Sequence, residues 1–244
     1  MSNFFKNFPL ALYKFGDEPT PTLIQNISAY ISIISELKDN VLFHTTQFIG
    51  DFDRPDSLSY KLYNTTEFYW TFYYLNEDIT ESGWPLSRLD LLDKAKTDYP
   101  NWTITTEDDI SDKFVEGDIV EGLSSAARGT VLKRYIDLGQ IIVSQGSNEN
   151  FSKNELIRAN GEISNQVSVK GQVAQYNSVH HYEDTDGNYA DIDPRNQVTT
   201  GLIPVTYLER IEAKNEQLKE IKVFKPEVVP QIQSEFNKLL LRGF

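Results

Sequence analysis

Two adjacent histidines are the residues of this sequence best suited to metal chemistry. The imidazole nitrogens of His180 and His181 are of the type that commonly bind metal ions. On a strand, however, adjacent side chains point to opposite faces, so the pair is not expected to hold one ion together. His44 is remote in the sequence and supplies no ligand spacing. We therefore predict that these histidines lie on the surface of a hairpin and that the chain has no metal site.

A cluster of acidic residues follows the histidines. The stretch DTDGNYAD, residues 184–191, resembles the start of a calcium loop. An EF-hand loop needs glycine at its sixth position and a bidentate glutamate at its twelfth, where this chain has Tyr189 and Arg195. The dipeptide Asp186–Gly187 is also a strong signal for a tight hairpin turn. The pattern therefore favours a solvated β-turn over a calcium site.

Serines and paired carboxylates are the remaining candidates for catalysis. Ser124 and Ser125, in SSAARGT, lack both the G-x-S-x-G frame of a nucleophile elbow and the Lys-Ser/Thr ending of a phosphate loop. Asp108 and Asp109 form a pair of the kind that arises by chance in a chain with 36 acidic residues. A hydrolase would rest on such pairs alone. We therefore predict no catalytic residue, no cofactor and no enzymatic activity.

Charge and composition argue against several classes of protein. The 244 residues carry a formal net charge of -13 and no basic block, which argues against nucleic-acid binding. The absence of cysteine removes disulfides and fits folding in a reducing cytoplasm. The apolar patch Leu10–Leu12 is followed closely by Lys14 and Asp17, so neither a signal peptide nor a membrane span is predicted.

An aromatic run is the most unusual stretch of the sequence. Seven of the eight residues from Phe68 to Leu75 are large and apolar, so they would surround a helix on every side. Such a helix is either buried or sandwiched between partners. A helix from Pro55 precedes the run, and the segment WPLS follows it, where Pro85 permits only an edge strand. We predict a helix, a second helix capped by the threonines of NTTE, and an edge strand at 84–87.

The rest of the chain alternates between β-rich and helical patterns. Short β-rich runs separated by glycine occupy 103–175 and predict a small antiparallel barrel, which we interpret as SH3-like. The stretch 41–49, VLFHTTQFI, has the composition of a strand. Pro204 is expected to begin a helix, and a final helix is expected over 227–241.

These patterns indicate an α+β protein with a barrel inserted between two helical parts. The predicted domains are an N-terminal arm (1–50), a helix-helix-strand module (51–102), the inserted barrel (103–175), and a β-hairpin with a C-terminal helical segment (176–244).

The stretch 54–87 resembles the LysM-like segment of baseplate wedge protein 53 of T-even-like contractile-tailed phages. The resemblance resumes at 207–240, where a helix carrying Asn-Glu is followed by an Ile-Lys-Val step and a final helix. The stretch 179–188 also resembles the segment that precedes this one in longer members. The region 103–175 departs from the shorter members as an insertion. The matching positions in the first stretch are Arg54, Pro55, Asp56, Leu58, Leu62, Tyr63, Tyr69, Trp70, Asn76, Trp84, Pro85, Leu86 and Ser87.

The resemblance implies a structural virion protein. It implies a baseplate wedge subunit, six copies per baseplate, that joins neighbouring wedges around the central hub. The implied partners are the large wedge-ring subunits, the small sheath-proximal wedge subunit, and hub or tube-cap proteins, with no nucleic acid and no membrane. The implied location is the tail baseplate of the virion, after synthesis in the host cytoplasm. The alternative is a LysM-type module that binds peptidoglycan, because true LysM domains bind N-acetylglucosamine polymers.

A LysM fold packs two helices on one face of a two-stranded antiparallel sheet, which leaves part of the aromatic run uncovered. The run could be covered by this chain's own helices or by other subunits, because buried aromatic residues are also usual interface anchors. Asn215 lies in an apolar helical stripe and either fixes the register of a helix pair or marks the stripe's edge. The predicted interaction residues are Tyr69, Trp70, Tyr73, Tyr74, Asn76, Trp84, Leu86, Leu208, Ile211, Asn215 and Leu218.

Overall fold

The computed structural model describes residues 10–16, 19–25, 41–145, 150–193 and 199–242. The chain divides into two units, one formed by Met1–Ser87 with Asn215–Phe244 and the other by Arg88–Lys214. The elements in chain order are β1 (Leu10–Tyr13), β2 (Thr22–Gln25), β3 (His44–Phe48), α1 (Pro55–Tyr63), α2 (Trp70–Leu75), α3 (Glu77–Ser82), α4 (Arg88–Asp98), β4 (Trp102–Thr106), β5 (Ile119–Gly122), β6 (Arg128–Tyr135), β7 (Gln140–Gln145), β8 (Leu156–Ala159), β9 (Gln166–Ala174), β10 (Val179–Glu183), β11 (Tyr189–Ala190), β12 (Ile203–Thr206), α5 (Tyr207–Leu218), β13 (Glu220–Phe224) and α6 (Val229–Arg242).

The first unit is built on a two-stranded antiparallel sheet of β3 and β13. Gln47 lies opposite Ile221, so a strand before the helices pairs with one near the end of the chain. Side chains from α1, α2 and α3 form one core with Ile221 and Val223 of β13. β1 and β2 form a separate antiparallel hairpin, in which Leu12 lies opposite Leu23.

The predicted first helix is confirmed, and local hydrogen bonds explain its limits. Pro55 occupies the first turn, where the missing N–H costs nothing. The Ser57 hydroxyl accepts from the Arg54 N–H at 2.9 Å and donates to the Arg54 carbonyl at the same distance. Asn64 ends the helix in the left-handed conformation, with a φ of 61°. The strand predicted within 41–49 is also confirmed as β3.

The second helix and the edge strand differ from the prediction. The threonines do not cap α2, because Thr65 accepts from the nearby Glu67 N–H and the helix begins only at Trp70. No strand forms at 84–87. The N–H and carbonyl of Leu86 bond instead to a side chain, so they are not available to a ladder. The strand that completes the sheet is β13, which contains the Ile-Lys-Val step between the two C-terminal helices.

The second unit contains a closed antiparallel barrel, which confirms the predicted small barrel. Its six strands follow the order β4-β7-β6-β5-β8-β9 and run between Trp102 and Ala174. Alternate side chains point inward and make a single apolar core, to which Trp102 adds a partly buried ring. This core contains Ile104, Ile110, Phe114, Val120, Ala127, Val131, Ile141, Val143, Phe151, Ile157, Ala159, Val167 and Val169.

A smaller three-stranded sheet, in the order β11-β10-β12, follows the barrel in the chain. The predicted turn at Asp186–Gly187 is confirmed, since β10 and β11 pair on either side of it. Pro204 does not begin a helix, because it lies in β12 opposite Tyr182. The helix α5 begins at Tyr207, after Thr206 and Glu209 form a reciprocal cap in which each backbone N–H donates to the other side chain. The helix predicted over 227–241 is confirmed as α6.

Candidate interaction site

The aromatic run is divided between two apolar cores of the first unit. Phe72 is fully buried with Leu58, Ile221 and Val223. Trp70 is only 8% exposed and lies in the other core. The members of that core come from the run, from β13 and from the start of α6: Phe68, Trp70, Leu75, Phe224, Val228, Val229 and Ile232. Trp70 therefore packs against this chain's own C-terminal helix, and a six-residue helix serves two cores because it is apolar on opposite sides.

The tyrosines of the run lie between these cores and the surface. Tyr69 packs against both cores, and Tyr74 packs against the one that contains Trp70. The ring of Tyr73 lies 6.0 Å from that of Trp84, and burial raises the pKa of its hydroxyl. The hydroxyl of Tyr63, from α1, donates to the Phe224 carbonyl at 2.9 Å, while burial raises its pKa. Each ring is thus half-buried, as suits an aromatic side chain with a polar tip.

Asn76 joins the end of α2 to β13. Its amide nitrogen donates to the carbonyls of Phe72 and Lys222, both at 2.8 Å. Its amide oxygen accepts from the Lys222 N–H at 2.8 Å. One side chain therefore satisfies both backbone groups of Lys222 on the edge of β13 that faces away from β3. This role explains why an asparagine, which has a donor and an acceptor side by side, stands at this position.

Two side chains fix the segment that follows α3. The indole N–H of Trp84 donates to the Asp53 carbonyl at 2.7 Å, and its ring packs near Phe72. Asn215, only 6% exposed, accepts from the Leu86 N–H at 2.8 Å and donates to the Leu86 carbonyl at 3.1 Å. Asn215 therefore bonds to the backbone of the segment that follows α3, and its hydrogen-bond partner is not another helix.

Charged groups that the sequence analysis did not single out support the same region. Lys219 is buried and its ammonium donates to the carboxylates of Asp51 at 2.7 Å and Glu216 at 2.6 Å. These two hydrogen bonds raise the pKa of Lys219. The Lys61 ammonium likewise bonds to Asp53 and lowers the pKa of that carboxyl group. Only the folded structure reveals the Asp51–Lys219 pair, since these two residues are far apart in sequence.

The predicted interaction residues do not form one continuous group. Nine of them lie in the first unit: Tyr69, Trp70, Tyr73, Tyr74, Asn76, Trp84, Leu86, Asn215 and Leu218. Leu218 packs against the core that contains Phe72. Leu208 and Ile211, in the first half of α5, are half-buried and belong to the second unit.

The residues weighed for metal chemistry have other roles. His180 and His181 do not point to opposite faces, because a bulge in β10 lets their Nδ1 atoms approach to 3.0 Å. Asp184 accepts from the backbone N–H groups of Asp186 and Asn188, which shapes the hairpin turn and lowers its pKa. Within the described ranges, no group of three or more His, Asp or Glu side chains is placed to hold a metal ion.

Ser124 and Ser125 bind the carboxylate of Glu155 in the second unit. The backbone N–H and the hydroxyl of each serine donate to Glu155, at distances between 2.8 and 3.2 Å. The Ser152 N–H also donates to it. Burial opposes ionisation of Glu155, but these hydrogen bonds outweigh it and lower the pKa. A Cβ atom added at Gly122 would lie 2.8 Å from Glu155 Oε2, which explains the glycine there.

The described residues of the first unit thus form a network of hydrogen bonds and packed rings that joins segments distant in sequence. In the part of the chain that the structure describes, no helix has the length and apolar character needed to cross a membrane. No protein-family model matches the chain, and no curated protein matches it.

Proposed function

We propose that this chain is a structural virion protein, a baseplate wedge subunit that clamps neighbouring wedges around the central hub of a contractile phage tail. In this proposal β3, α1, α2 and β13 make up the LysM-like module, and the second unit carries an inserted SH3-like barrel. The partners would be the large wedge-ring subunits, the small sheath-proximal wedge subunit, and hub or tube-cap proteins. The role is structural, with no reaction catalysed.

One observation carries the proposal. The two stretches that resemble the wedge family, 54–87 and 207–240, are bonded to each other through residues of the resemblance itself. Asn76 pairs with the backbone of Lys222, and Asn215 pairs with the backbone of Leu86. A chance likeness in two distant stretches gives no reason for their motif residues to meet. A shared fold does, and this supports reading the two stretches as one module interrupted by an insertion.

The packing also limits where partners can bind. The inward sides of Trp70 and Phe72 are occupied by this chain, so they would stabilise the module rather than contact a neighbour. A wedge subunit that carries force benefits from such a rigid module, because a contractile baseplate changes shape by moving whole parts. Partner contacts would then use exposed faces of the module.

Imaging of the purified virion is the direct test. Cryo-electron microscopy of the baseplate should place six copies of this chain between neighbouring wedges. Location elsewhere in the particle, or absence from it, would overturn the proposal. Removal of residues 204–244 is a poor test, because it deletes β13 and α6, on which both cores depend.

Peptidoglycan binding is the rival function. The full-length chain should not co-sediment with purified peptidoglycan above the level of an unrelated acidic protein. Saturable binding that N-acetylglucosamine oligomers compete away would replace the wedge proposal with the carbohydrate-binding one.

A further inference from the structure

The two outer edges of the β3–β13 sheet differ in how their backbone groups are hydrogen-bonded. In an antiparallel pair, alternate residues bond across to the partner strand, and the residues between them point their backbone groups outward. The Ile49 N–H donates to the Lys219 carbonyl, and the Lys225 N–H donates to the Phe43 carbonyl, both at 2.8 Å. These two bonds determine which residues of β3 and β13 bond to the partner strand and which point their backbone groups outward. Thr46, opposite Lys222, therefore points its N–H and carbonyl away from β13.

The outer edge of β13 is sealed by side chains of the same unit. Both outward groups of Lys222 bond to Asn76, and the outward carbonyl of Phe224 accepts from Tyr63. On β3, the side chain of Gln47 bonds to the Phe48 carbonyl. Within the described residues, the N–H and carbonyl of Thr46 and the N–H of Phe48 have no hydrogen-bond partner. Among the described residues, the outer edge of β13 is thus closed by side chains, whereas the outer edge of β3 is open at Thr46 and at the N–H of Phe48.

The open edge also lacks the usual protection against strand pairing. Proteins commonly block an exposed edge with lysine, proline or a bulge. β3 has the sequence HTTQF, without proline, lysine or a carboxylate, and its pairing with β13 is regular. Phe48 is 58% exposed on this strand. An edge with these features is suited to accept another strand.

We propose that the outer edge of β3 binds an extended segment of a partner protein, which adds to the sheet as a third strand. The unpaired N–H and carbonyl groups require a peptide backbone that offers the complementary groups at strand spacing. The exposed ring of Phe48 favours an apolar side chain at the neighbouring position of the partner segment. Glu220, which lies opposite Phe48 on the same face, favours a basic side chain in that segment. An edge that is open only at Thr46 and Phe48 is short for a stable contact between two copies. The added strand is therefore one anchor of a larger interface.

This inference deepens the proposed function by naming one contact of the wedge subunit, but its test needs no virion. The probe is a synthetic hexapeptide of alternating threonine and valine with a terminal lysine, added to the full-length chain. Amide hydrogen exchange is followed by NMR at Thr46 and Phe48. The matched control peptide has the same side chains and N-methylated backbone amides, which cannot complete a ladder.

The expected result is that exchange at Thr46 and Phe48 slows at least tenfold, on the order of a newly formed ladder bond, with the first peptide only. The variants Thr46→Pro and Thr46→Lys should lose the slowing at Phe48, which is the amide to follow because Thr46→Pro leaves no N–H at its own position. Thr46→Pro removes an N–H that points outward, so Gln47, which bonds to β13, should stay protected and show that the sheet remains folded. The control Thr185→Lys, in the exposed hairpin turn, should behave as the unaltered chain.

Three results would overturn the inference. The first is unchanged exchange at saturating peptide, and the second is equal slowing by the N-methylated peptide. The third is protection of Thr46 before any peptide is added. If that protection rises with protein concentration, a second copy occupies the edge. If it does not, the chain covers its own edge. None of these results bears on where the chain lies in a virion, so the imaging test of the proposed function stands apart.

Discussion

The two units of this chain satisfy the edges of their sheets by different means. The barrel of the second unit closes on itself, because β4 pairs with both β7 and β9. Its six strands come from one continuous stretch of the chain. Among the described residues, the sheet of β3 and β13 has two strands that are far apart in the sequence, and a two-stranded sheet is marginal without further support. That support comes from Asn76, Tyr63 and the aromatic cores.

This contrast has a consequence for stability. A closed barrel distributes its backbone hydrogen bonds over many pairs, so the loss of one side chain leaves most of them intact. The first unit depends on a few side chains that each join distant segments. We therefore expect that substituting a single one of these side chains lowers the stability of the whole first unit.

The largest expected effect follows removal of a central aromatic ring from the first unit. Phe72→Ala should destabilise this unit by about 3 to 5 kcal/mol, the usual cost of a large buried aromatic side chain. Phe72 is fully buried between α1 and β13, so its loss leaves a cavity between the helices and the sheet. Thermal unfolding followed by fluorine NMR of fluorotryptophan-labelled chain can separate the units, because each indole then gives its own signal: Trp70 and Trp84 report on the first unit and Trp102 on the second.

The matched control for this experiment lies in the barrel. Leu132→Ala removes an apolar side chain that is 42% exposed on β6 and should leave both transitions nearly unchanged. If Phe72→Ala lowered the transition reported by Trp102 as much as that of the first unit, the two units would unfold together, and the comparison would fail.

The second prediction concerns the sealed edge of β13. Asn76→Leu should destabilise the first unit by about 2 to 3 kcal/mol, because it leaves the backbone groups of Lys222 without their side-chain partner. Asn76→Asp keeps an acceptor for the Lys222 N–H but loses the donor, so it should fall between the unaltered chain and Asn76→Leu. Urea unfolding with constant m-values measures the difference. Equal free energies of unfolding for all three proteins would show that the hydrogen bonds between Asn76 and Lys222 contribute little to stability.

The same features explain how far the sequence could predict the fold. Local patterns were sufficient for α1, where Pro55 and the spacing of Leu58 and Leu62 act over one or two turns. They were also sufficient for the barrel and for the turn at Asp186–Gly187, whose partners are near in sequence. Pairing between β3 and β13 leaves no local signal, because neither strand is stable without the other.

The side-chain contacts of the candidate site also join residues that are distant in sequence, so local patterns do not predict them. The resemblance singled out Asn76 and Asn215 as positions, but their partners are backbone groups of distant residues, and no residue type marks such a partner. The start of α5, in contrast, does have a local signal in the sequence. Thr206 and Glu209 form the T-x-x-E pattern of a capping box, which places the start of α5 at Tyr207 rather than at Pro204.

The carboxylate of Glu155 is expected to make the stability of the barrel depend on pH. Hydrogen bonds from Ser124, Ser125 and Ser152 hold the folded pKa of Glu155 below its ordinary value of 4.5. The stabilisation is therefore fully present above pH 4.5 and is lost as the pH falls through the lowered folded pKa. Glu155→Gln should remove this dependence and cost about 2 kcal/mol at neutral pH, since the hydrogen bonds to a charged acceptor are lost.

Chemical denaturation between pH 3 and pH 7, followed through the resolved fluorine signal of labelled Trp102, measures the effect on the barrel. Exposed Glu162→Gln is the control and should keep the profile of the unaltered chain. A barrel whose stability has the same pH profile with and without Glu155 would show that this carboxylate is not the group responsible.

The smallest expected effect concerns the histidine pair of the second unit, where a hydrogen-bonded chain fixes both tautomers. Arg210 always donates, so His180 Nε2 must accept from it at 3.2 Å. The proton of His180 then lies on Nδ1 and is donated to His181 Nδ1, which leaves Nε2–H of His181 to donate to Glu183 at 3.0 Å. Burial lowers the pKa of His180, and the charge of Arg210 lowers it further.

Because the folded pKa of His180 lies below its ordinary value of 6.5, its contribution to stability is present above pH 6.5 and falls as the pH drops towards the folded pKa. Replacement of the guanidinium in Arg210→Met should raise the pKa of His180 and flatten this part of the profile, whereas exposed Arg88→Met should not. Nitrogen NMR of the imidazole rings measures both the tautomers and the titration. Identical tautomers for the two rings at pH 8 would contradict the chain of hydrogen bonds, since a shared Nδ1–Nδ1 contact needs one donor and one acceptor.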